Sequence, residues 1–347
     1  MRDLRTLGHS GLLVSPLTLG TMTMANPGWG SDEKESGRIL DRFLRAGGNA
    51  IDTADVYAGG ASEEVLGRLI HDRGIRDAVV IATKYGFGGG GGLVTGGAGR
   101  ATMARALEGS LRRLGTDHVD LYWMHTWDGV TPAAEVVQGM ADLIASGKVS
   151  HWGLSNTPAW FAAQATALAR DHGLPAPIAL QLEYSLVTRD IEREHVPAAR
   201  ELGLGVVPWS PLAGGFLTGK YRRDDSTAAA GGRLTKENPF GDSKFTAHNW
   251  EVLDALTEVA MDLGRPVAEV ATAWVLDRPG VDTVLVGART LDQLNTSLEA
   301  AEHPLPSDAR ERLDAASAQD LGYPYDIFTP RTAADIFGGG TPVHRLR

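Results

Sequence analysis

Asn49-Ala50-Ile51-Asp52-Thr53-Ala54-Asp55-Val56-Tyr57 closes a short apolar run on an aspartate and places a tyrosine five residues later. A run of this length, bounded by polar residues, has the pattern of a buried strand entering a loop. Two further runs close on ionisable groups in the same way, residues 79–83 on Lys84 and residues 119–124 on His125. Outward from this stretch the unit repeats. Apolar runs occupy residues 17–20, 50–53, 79–83, 119–124, 149–155, 178–183, 205–209 and 283–287. The first seven start roughly 27–40 residues apart, the size of a strand plus a helix.

Most intervals carry helical signals. Ser31-Asp32-Glu33 opens an amphipathic run to Arg45, and Gly47-Gly48 stops it. Residues 61–70 put Val65, Leu66 and Leu69 on one face, and Gly115 and Gly147 close the runs 101–114 and 132–145. Residues 156–170 and 189–202 follow the same pattern, and 304–318 forms one more helix. Residues 1–16 read as a hairpin turning at Gly8-His9-Ser10-Gly11. Eight strand–helix units in a single chain predict an α/β protein, a (β/α)8 TIM barrel with an N-terminal β-hairpin and long loops at its C-terminal face. No proline-rich or charged linker splits the chain, against a Rossmann-like domain followed by a second one. The expected organisation is a single domain over residues 1–320 and an irregular tail over 321–347, which holds Pro324, Pro330 and three successive glycines at 338–340.

With 347 residues, 43% of them hydrophobic, the chain can bury a large core. Its net charge of −10 argues against a nucleic-acid or anionic-membrane surface as the main partner. The absence of cysteine excludes disulfides, thiolate metal sites and a cysteine nucleophile. The opening residues 1–5 lack the apolar core of a signal peptide, and no apolar run reaches the roughly 20 residues that span a bilayer. The expected location is the cytoplasm.

Two intervals are long and glycine-bearing, residues 86–99 after the third run and 213–248 after the seventh. Both leave the strand ends on which barrel active sites are built. Gly86-Phe87-Gly88-Gly89-Gly90-Gly91 formally matches a dinucleotide fingerprint, but such a fingerprint opens directly into a helix, and here the helix starts near residue 100. A loop over the active site is the better assignment.

In a barrel the ends of strands two, three and four share one mouth, so Asp52, Lys84 and His125 point into one volume and Tyr57 reaches it from a short loop. A tyrosine normally titrates near 10, and a nearby ammonium favours its phenolate. An aspartate keeps such a lysine charged, and a histidine can bind the substrate oxygen or relay the proton. This set delivers a proton to a carbonyl oxygen but contains no second reactant; hydride from a nicotinamide fits. On these four residues alone a Schiff-base aldolase with Lys84 as the amine is the runner-up and stays open.

The motifs resemble the aldo-keto reductase superfamily, in the branch that includes potassium-channel β subunits and bacterial aldo-keto reductases. Asp52-Thr53-Ala54-Asp55-Val56-Tyr57 is similar to its first signature, and Leu111-Arg112-Arg113-Leu114-Gly115-Thr116-Asp117-His118-Val119-Asp120-Leu121-Tyr122 with His125 to its second. The resemblance implies a tetrad of Asp52, Tyr57, Lys84 and His125 with Tyr57 as the acid. It also implies NADP(H) lying across the mouth. Gly20-Thr21-Met22 at the end of strand one is among the matching positions, Asp52 would lie near the nicotinamide ribose, and Ser155, Asn156 and Gln181 would hold the carboxamide. Trp209 would stack on the ring. Ser210-Pro211-Leu212, Gly214, Leu217, Gly219 and Lys220 would hold the pyrophosphate, and Gly287, Arg289 and Gln293 the 2′-phosphate. Thr296-Ser297 departs from the Glu-Asn that the family often sets against adenine.

The expected activity is NADPH-dependent reduction of an aldehyde or ketone to an alcohol. The alternatives are an NADP(H)-binding redox-sensing subunit with slow turnover, and the aldolase. Trp29, Tyr85, Phe87 and Trp127 lie in loops positioned to line the mouth, which the glycine-rich loops leave open enough for a bulky small-molecule carbonyl substrate.

Overall fold

Alternation along each strand decides this architecture, because every strand of the main sheet is covered on both sides. In a computed structural model, residues 1, 3–26, 28, 30–88, 95–223, 234, 244–320, 322–328, 332, 335 and 336 are described. Trp29, residues 89–94 of the glycine-rich loop, residues 224–233 and 235–243 of the second long loop, and most of the 321–347 tail, Pro330 and the glycines at 338–340 among them, lie outside the described residues.

Arg5–Thr6 (β1) and Leu13–Val14 (β2) pair antiparallel as the N-terminal hairpin. Eight parallel strands follow: Leu17–Gly20 (β3), Ala50–Asp52 (β4), Val80–Tyr85 (β5), Val119–Met124 (β6), Val149–Ser155 (β7), Ala179–Glu183 (β8), Gly205–Trp209 (β9) and Val284–Val286 (β10). They pair in chain order, β10 returns to pair with β3, and a bridge from Val206 to Val281 joins the last edge, so the sheet is a nearly closed barrel. All eight expected strands are present.

Helices alternate with the strands: Glu33–Arg45 (α1), Ala61–Arg73 (α2), Arg100–Leu114 (α3), Ala133–Ala145 (α4), Ala159–Asp171 (α5) and His195–Leu202 (α6). Between β9 and β10 the sequence offered no helix, yet two are present, Ala247–Leu263 (α7) and Val267–Leu276 (α8). Left-handed Gly264 stops the first and Pro266 starts the second, which folds them into a helical pair. Leu291–Glu302 (α9) and Ser307–Ala316 (α10) complete the shell. The interval 189–202 holds a shorter helix than its periodicity predicts, because a 3-10 turn occupies Asp190–Glu192.

The period of two sorts side chains into two cores. Leu19, Ile51, Ile81, Tyr122, Leu154, Leu180, Val206 and Val284 face the helices. Ala50, Ala82, Leu121, Trp123, Ala179, Val207 and Leu285 fill the barrel interior, and Leu7 and Val14 of the hairpin join them, plugging the N-terminal end. Trp123 is the largest side chain inside and Gly153 makes room for it, since a Cβ there would stand 2.4 Å from the Trp123 ring and 2.9 Å from the Ala179 carbonyl. Gly153→Ala should therefore destabilise the fold by about 1–3 kcal/mol, the usual cost of overpacking. A urea titration that leaves the midpoint of this variant unchanged would refute the steric account.

Candidate active site

One inward step beyond the last interior layer lies the mouth of the barrel. From Thr18, Ala50, Ala82, Trp123, Gly153, Ala179, Val207 and Leu285, two residues further along each strand bring Gly20, Asp52, Lys84, His125, Ser155, Gln181, Trp209 and Gly287 to the C-terminal end. Strand register pairs Gly20 with Asp52 and Ser155 with Gln181 but sets Asp52 beside Ala82 and Lys84 beside Trp123, so the set climbs around the mouth with the stagger of the barrel.

Tyr57 enters from the loop after β4. Three successive left-handed residues, Ala58 (φ 50°), Gly59 (φ 65°) and Gly60 (φ 99°), turn the chain back at once. Arg113 packs on Gly60, where a Cβ would meet its Cδ at 2.9 Å. The same guanidinium donates to Glu63 Oε2 at 2.7 Å, and Thr83 Oγ1 donates to Glu63 Oε1 at 2.5 Å. Fully buried Glu63 thus ties the Tyr57 loop to β5 and α3.

Lys84 Nζ donates to Asp52 Oδ1, to the Thr53 carbonyl at 2.7 Å and to the Tyr57 hydroxyl at 3.1 Å. Gln181 Nε2 donates to Asp52 Oδ2 at 2.9 Å. Burial pushes the Asp52 carboxyl up, against the opposing pull of Lys84 and Gln181. Burial also opposes the Lys84 charge, but Asp52 and Tyr57 more than offset it, and the ammonium is held above its ordinary range. The His125 ring meets Tyr57 edge-on at 5.9 Å between centroids and Phe87 at 4.7 Å. Burial first, then the Lys84 charge, hold His125 well below 6.5, so its ring is neutral; its Nδ1 is buried with no hydrogen-bond partner among the described residues. Beside this group, Asp55 is pushed up to about 7 by burial and by Glu63.

A second network continues around the mouth. Asn156, left-handed at φ 49°, donates through Nδ2 to the His125 carbonyl at 2.9 Å and to Ser155 Oγ at 3.0 Å. Its Oδ1 accepts from Trp209 Nε1 at 3.1 Å, which fixes the indole plane. Ser62 Oγ donates to the carbonyl and hydroxyl of buried Thr21, and Met22 is exposed at the rim. After β9, Ser210 Oγ accepts from the Gly214 N–H at 2.9 Å, closing a turn that runs through buried Pro211 and half-buried Leu212. Gly214, Gly215 and Gly219 are left-handed. The side chain of Leu217 is fully buried, so only its backbone could meet a ligand. Partial desolvation and then the charge of Arg289 lower Lys220. Gly287 and Gln293 are exposed.

One expectation for the mouth lining changes, and another, Trp29, lies outside the described residues. Tyr85 does not line the mouth: it follows inward-facing Lys84, so it points outward, stacks on Tyr122 at 5.1 Å and donates to the Ala98 carbonyl at 3.1 Å. It anchors the base of the glycine-rich loop. Asp128 anchors it too, accepting from the Ala98 N–H at 2.9 Å and from Thr131 Oγ1 at 2.6 Å. Burial raises the Asp128 carboxyl, but these bonds outweigh it and hold the group below its ordinary range.

Exposed Phe87 stands against His125, and half-buried Trp127 packs on Trp160 at 5.1 Å, edge to face. Trp160 was not singled out from the sequence, nor was Glu63. For Glu63 a signal existed, an acid sharing the helical face of Leu66 and Ile70. No group of acids and histidines among the described residues is arranged to hold a metal, and none of the described helices is long and apolar enough to cross a membrane.

A family model described as the Aldo/keto reductase family matches residues 16–318. The chain is similar to the uncharacterized oxidoreductase YrpG of Bacillus subtilis (strain 168), at 38% identity over 317 residues, covering 89% of this chain and 94% of that protein. It is also similar to a probable voltage-gated potassium channel subunit beta of Oryza sativa subsp. japonica, at 35% identity covering 86% and 90%. A third relative is the aryl-alcohol dehydrogenase [NADP(+)] of Phanerodontia chrysosporium, at 32% identity covering 92% and 86%.

The two shifted groups beside Lys84 have opposite effects on stability. A histidine held low in the folded state costs stability as pH falls below about 6.5, because only the unfolded chain takes up the proton. A carboxyl raised to about 7 gains stability as pH falls from 7 toward 3.8. Lowering pH from 7.5 to 5.5 should therefore favour His125→Asn over the parent, by up to about 1.4 kcal/mol per unit below 6.5, and disfavour Asp55→Asn. Denaturant titrations at the two pH values read both signs.

Proposed function

The chain belongs to the aldo/keto reductase family, and from that premise we propose that it reduces an aldehyde or ketone to the alcohol with NADPH, Tyr57 supplying the proton. The observation that carries this is the Tyr57 hydroxyl at 3.1 Å from an ammonium that is itself buried and bound to Asp52. Bound NADPH supplies the hydride for the carbonyl carbon, so the proton for the oxygen has to come from the chain. Lys84 polarises the phenol and Asp52 keeps Lys84 charged and oriented. His125, neutral and facing Tyr57, is suited to donate a hydrogen bond to the substrate oxygen and fix its position.

The residues present fit a phosphorylated dinucleotide. Lys220 feels the charge of Arg289, and a bound anion would relieve that repulsion. The left-handed glycines between Ser210 and Lys220 let the backbone approach a pyrophosphate closely. Trp209, its plane fixed by Asn156, offers a face to a flat ring. Gly20, Thr21, Met22, Ser155 and Gln181 complete the nicotinamide side, and Gly287 and Gln293 the phosphate side. The aldolase alternative is disfavoured, since a Schiff-base amine must be neutral and Lys84 is held protonated.

For the substrate we infer an aromatic carbonyl compound. Phe87 stands against His125, Trp127 and Trp160 pair on the loop and helix after the next strands, and one relative is named an aryl-alcohol dehydrogenase. The relative named as a channel subunit supports a second reading, an NADP(H)-binding subunit with slow turnover. In either case the protein is assigned to the cytoplasm as one barrel domain over residues 1–320 with a short tail.

NADPH consumption with a panel of aromatic and aliphatic aldehydes separates the readings: rapid turnover with the aromatic members supports the enzyme, and binding without turnover supports the subunit. Tyr57→Phe should lower kcat by about 100-fold or more while NADPH affinity stays near the parent value. Full activity in that variant would exclude Tyr57 as the acid.

A further inference from the structure

Three backbone donors at the start of α9 are already occupied by the chain's own acceptors. The Gln293 N–H donates to Thr290 Oγ1 at 3.4 Å, the Arg289 N–H to Gln293 Oε1 at 2.9 Å, and the Leu291 N–H to Glu35 Oε1 at 3.2 Å. Two of these acceptors are neutral and local. Glu35 is neither: it is a carboxylate carried by α1, brought here because β10 pairs with β3 and sets their helices side by side. Arg42 Nε donates to Asn295 Oδ1 at 2.8 Å one turn further along, fixing the same pair of helices.

We propose that Glu35 is a cofactor-selectivity residue, holding with its carboxylate the anion position at the start of α9 that the adenosine 2′-phosphate of NADP(H) has to take. The inference rests on the NADP(H) reading above. A carboxylate at the positive end of a helix is favourable in the free protein. A phosphate brought to the same amides meets that charge and has to displace it, because one N–H cannot satisfy two anions. A dinucleotide with a free 2′-hydroxyl brings no charge and can donate to the carboxylate instead. Glu35 therefore opposes Lys220 and Arg289 and narrows the preference for the phosphorylated cofactor. Its own charge is partly balanced by Arg38 at 2.7 Å on the outer face of α1.

The test is a titration of NADP+ and of NAD+ into the full-length protein, read by tryptophan fluorescence or calorimetry with no carbonyl compound present. Glu35→Gln keeps an acceptor for the Leu291 N–H and removes only the charge. It should tighten NADP+ by about fivefold or more and leave NAD+ unchanged or weaker. Arg38→Gln, at an exposed position, leaves Glu35 less neutralised and should weaken NADP+ relative to NAD+. If wild type binds NADP+ but Glu35→Gln leaves the NADP+/NAD+ affinity ratio unchanged, the inference is overturned and the functional reading stands. If wild type binds neither dinucleotide, the functional reading fails and the inference fails with it.

Discussion

Lys84 and Asp52 form an ion pair whose side chains are 0% and 2% exposed. Taking each ion out of water costs several kcal/mol, and mutual attraction recovers this only where the remaining donors and acceptors are also satisfied. Here they are: the ammonium spends its three protons on Asp52, the Thr53 carbonyl and Tyr57, and the second carboxylate oxygen takes Gln181. Apolar residues of similar volume often hold a core at least as well as such a pair. Stability is thus a poor reason for a lysine at this depth, and delivery of a charge to the tyrosine hydroxyl is a better one. Burial sets the neighbours: it keeps His125 neutral with help from the Lys84 charge, and with Glu63 it pushes Asp55 up to about 7 against the pull of Lys84.

Holding that geometry has a backbone cost. Among the described residues, five non-glycine residues have positive φ: Ala25, Ala58, Asn156, Ser210 and Ala213. All five lie in loops leaving the C-terminal ends of strands, and each left-handed alanine or serine costs about 1–2 kcal/mol. Ala58 turns the chain immediately after Tyr57; Asn156 uses its turn to reach His125 and Trp209 together. The regular barrel wall bears this strain, because its strands are buried on both faces and cannot shift register without exposing one core or the other.

Double burial is also why the strands were legible, as continuous apolar runs closed by polar residues. Most of the mouth was legible as well, since period two carries Ala50 to Asp52, Ala82 to Lys84 and Ala179 to Gln181. The same parity, applied one residue on, turns Tyr85 away from the mouth, and the sequence estimate of the lining missed that step. The helical pair α7 and α8 was hidden because no apolar run divides it. Glu63 with Arg113, and Glu35 with Leu291, were unreadable for another reason: they join residues far apart in the chain, where charge pattern alone names no partner. Tyr57 was found by motif, because its position depends on a loop conformation that periodicity does not encode.

A chain of net charge −10 with a site suited to a polyanion raises a question of range. At physiological salt the Debye length is about 8 Å, so charges spread over the rest of the surface are largely screened at the mouth. The outcome is decided within one contact shell. There partial burial, and after it the charge of Arg289, lowers Lys220. A bound anion removes that penalty and adds its own attraction, so the repulsion present in the free protein becomes affinity on binding. The helix start works in the opposite sense, because three of its donors already have acceptors and one of these is a carboxylate. Preorganised cations favour any anion that arrives; preoccupied amides favour only a ligand that replaces what they already hold. Selectivity between two dinucleotides that differ by one phosphate depends on the balance of these two effects, and the overall charge of the molecule has little part in it.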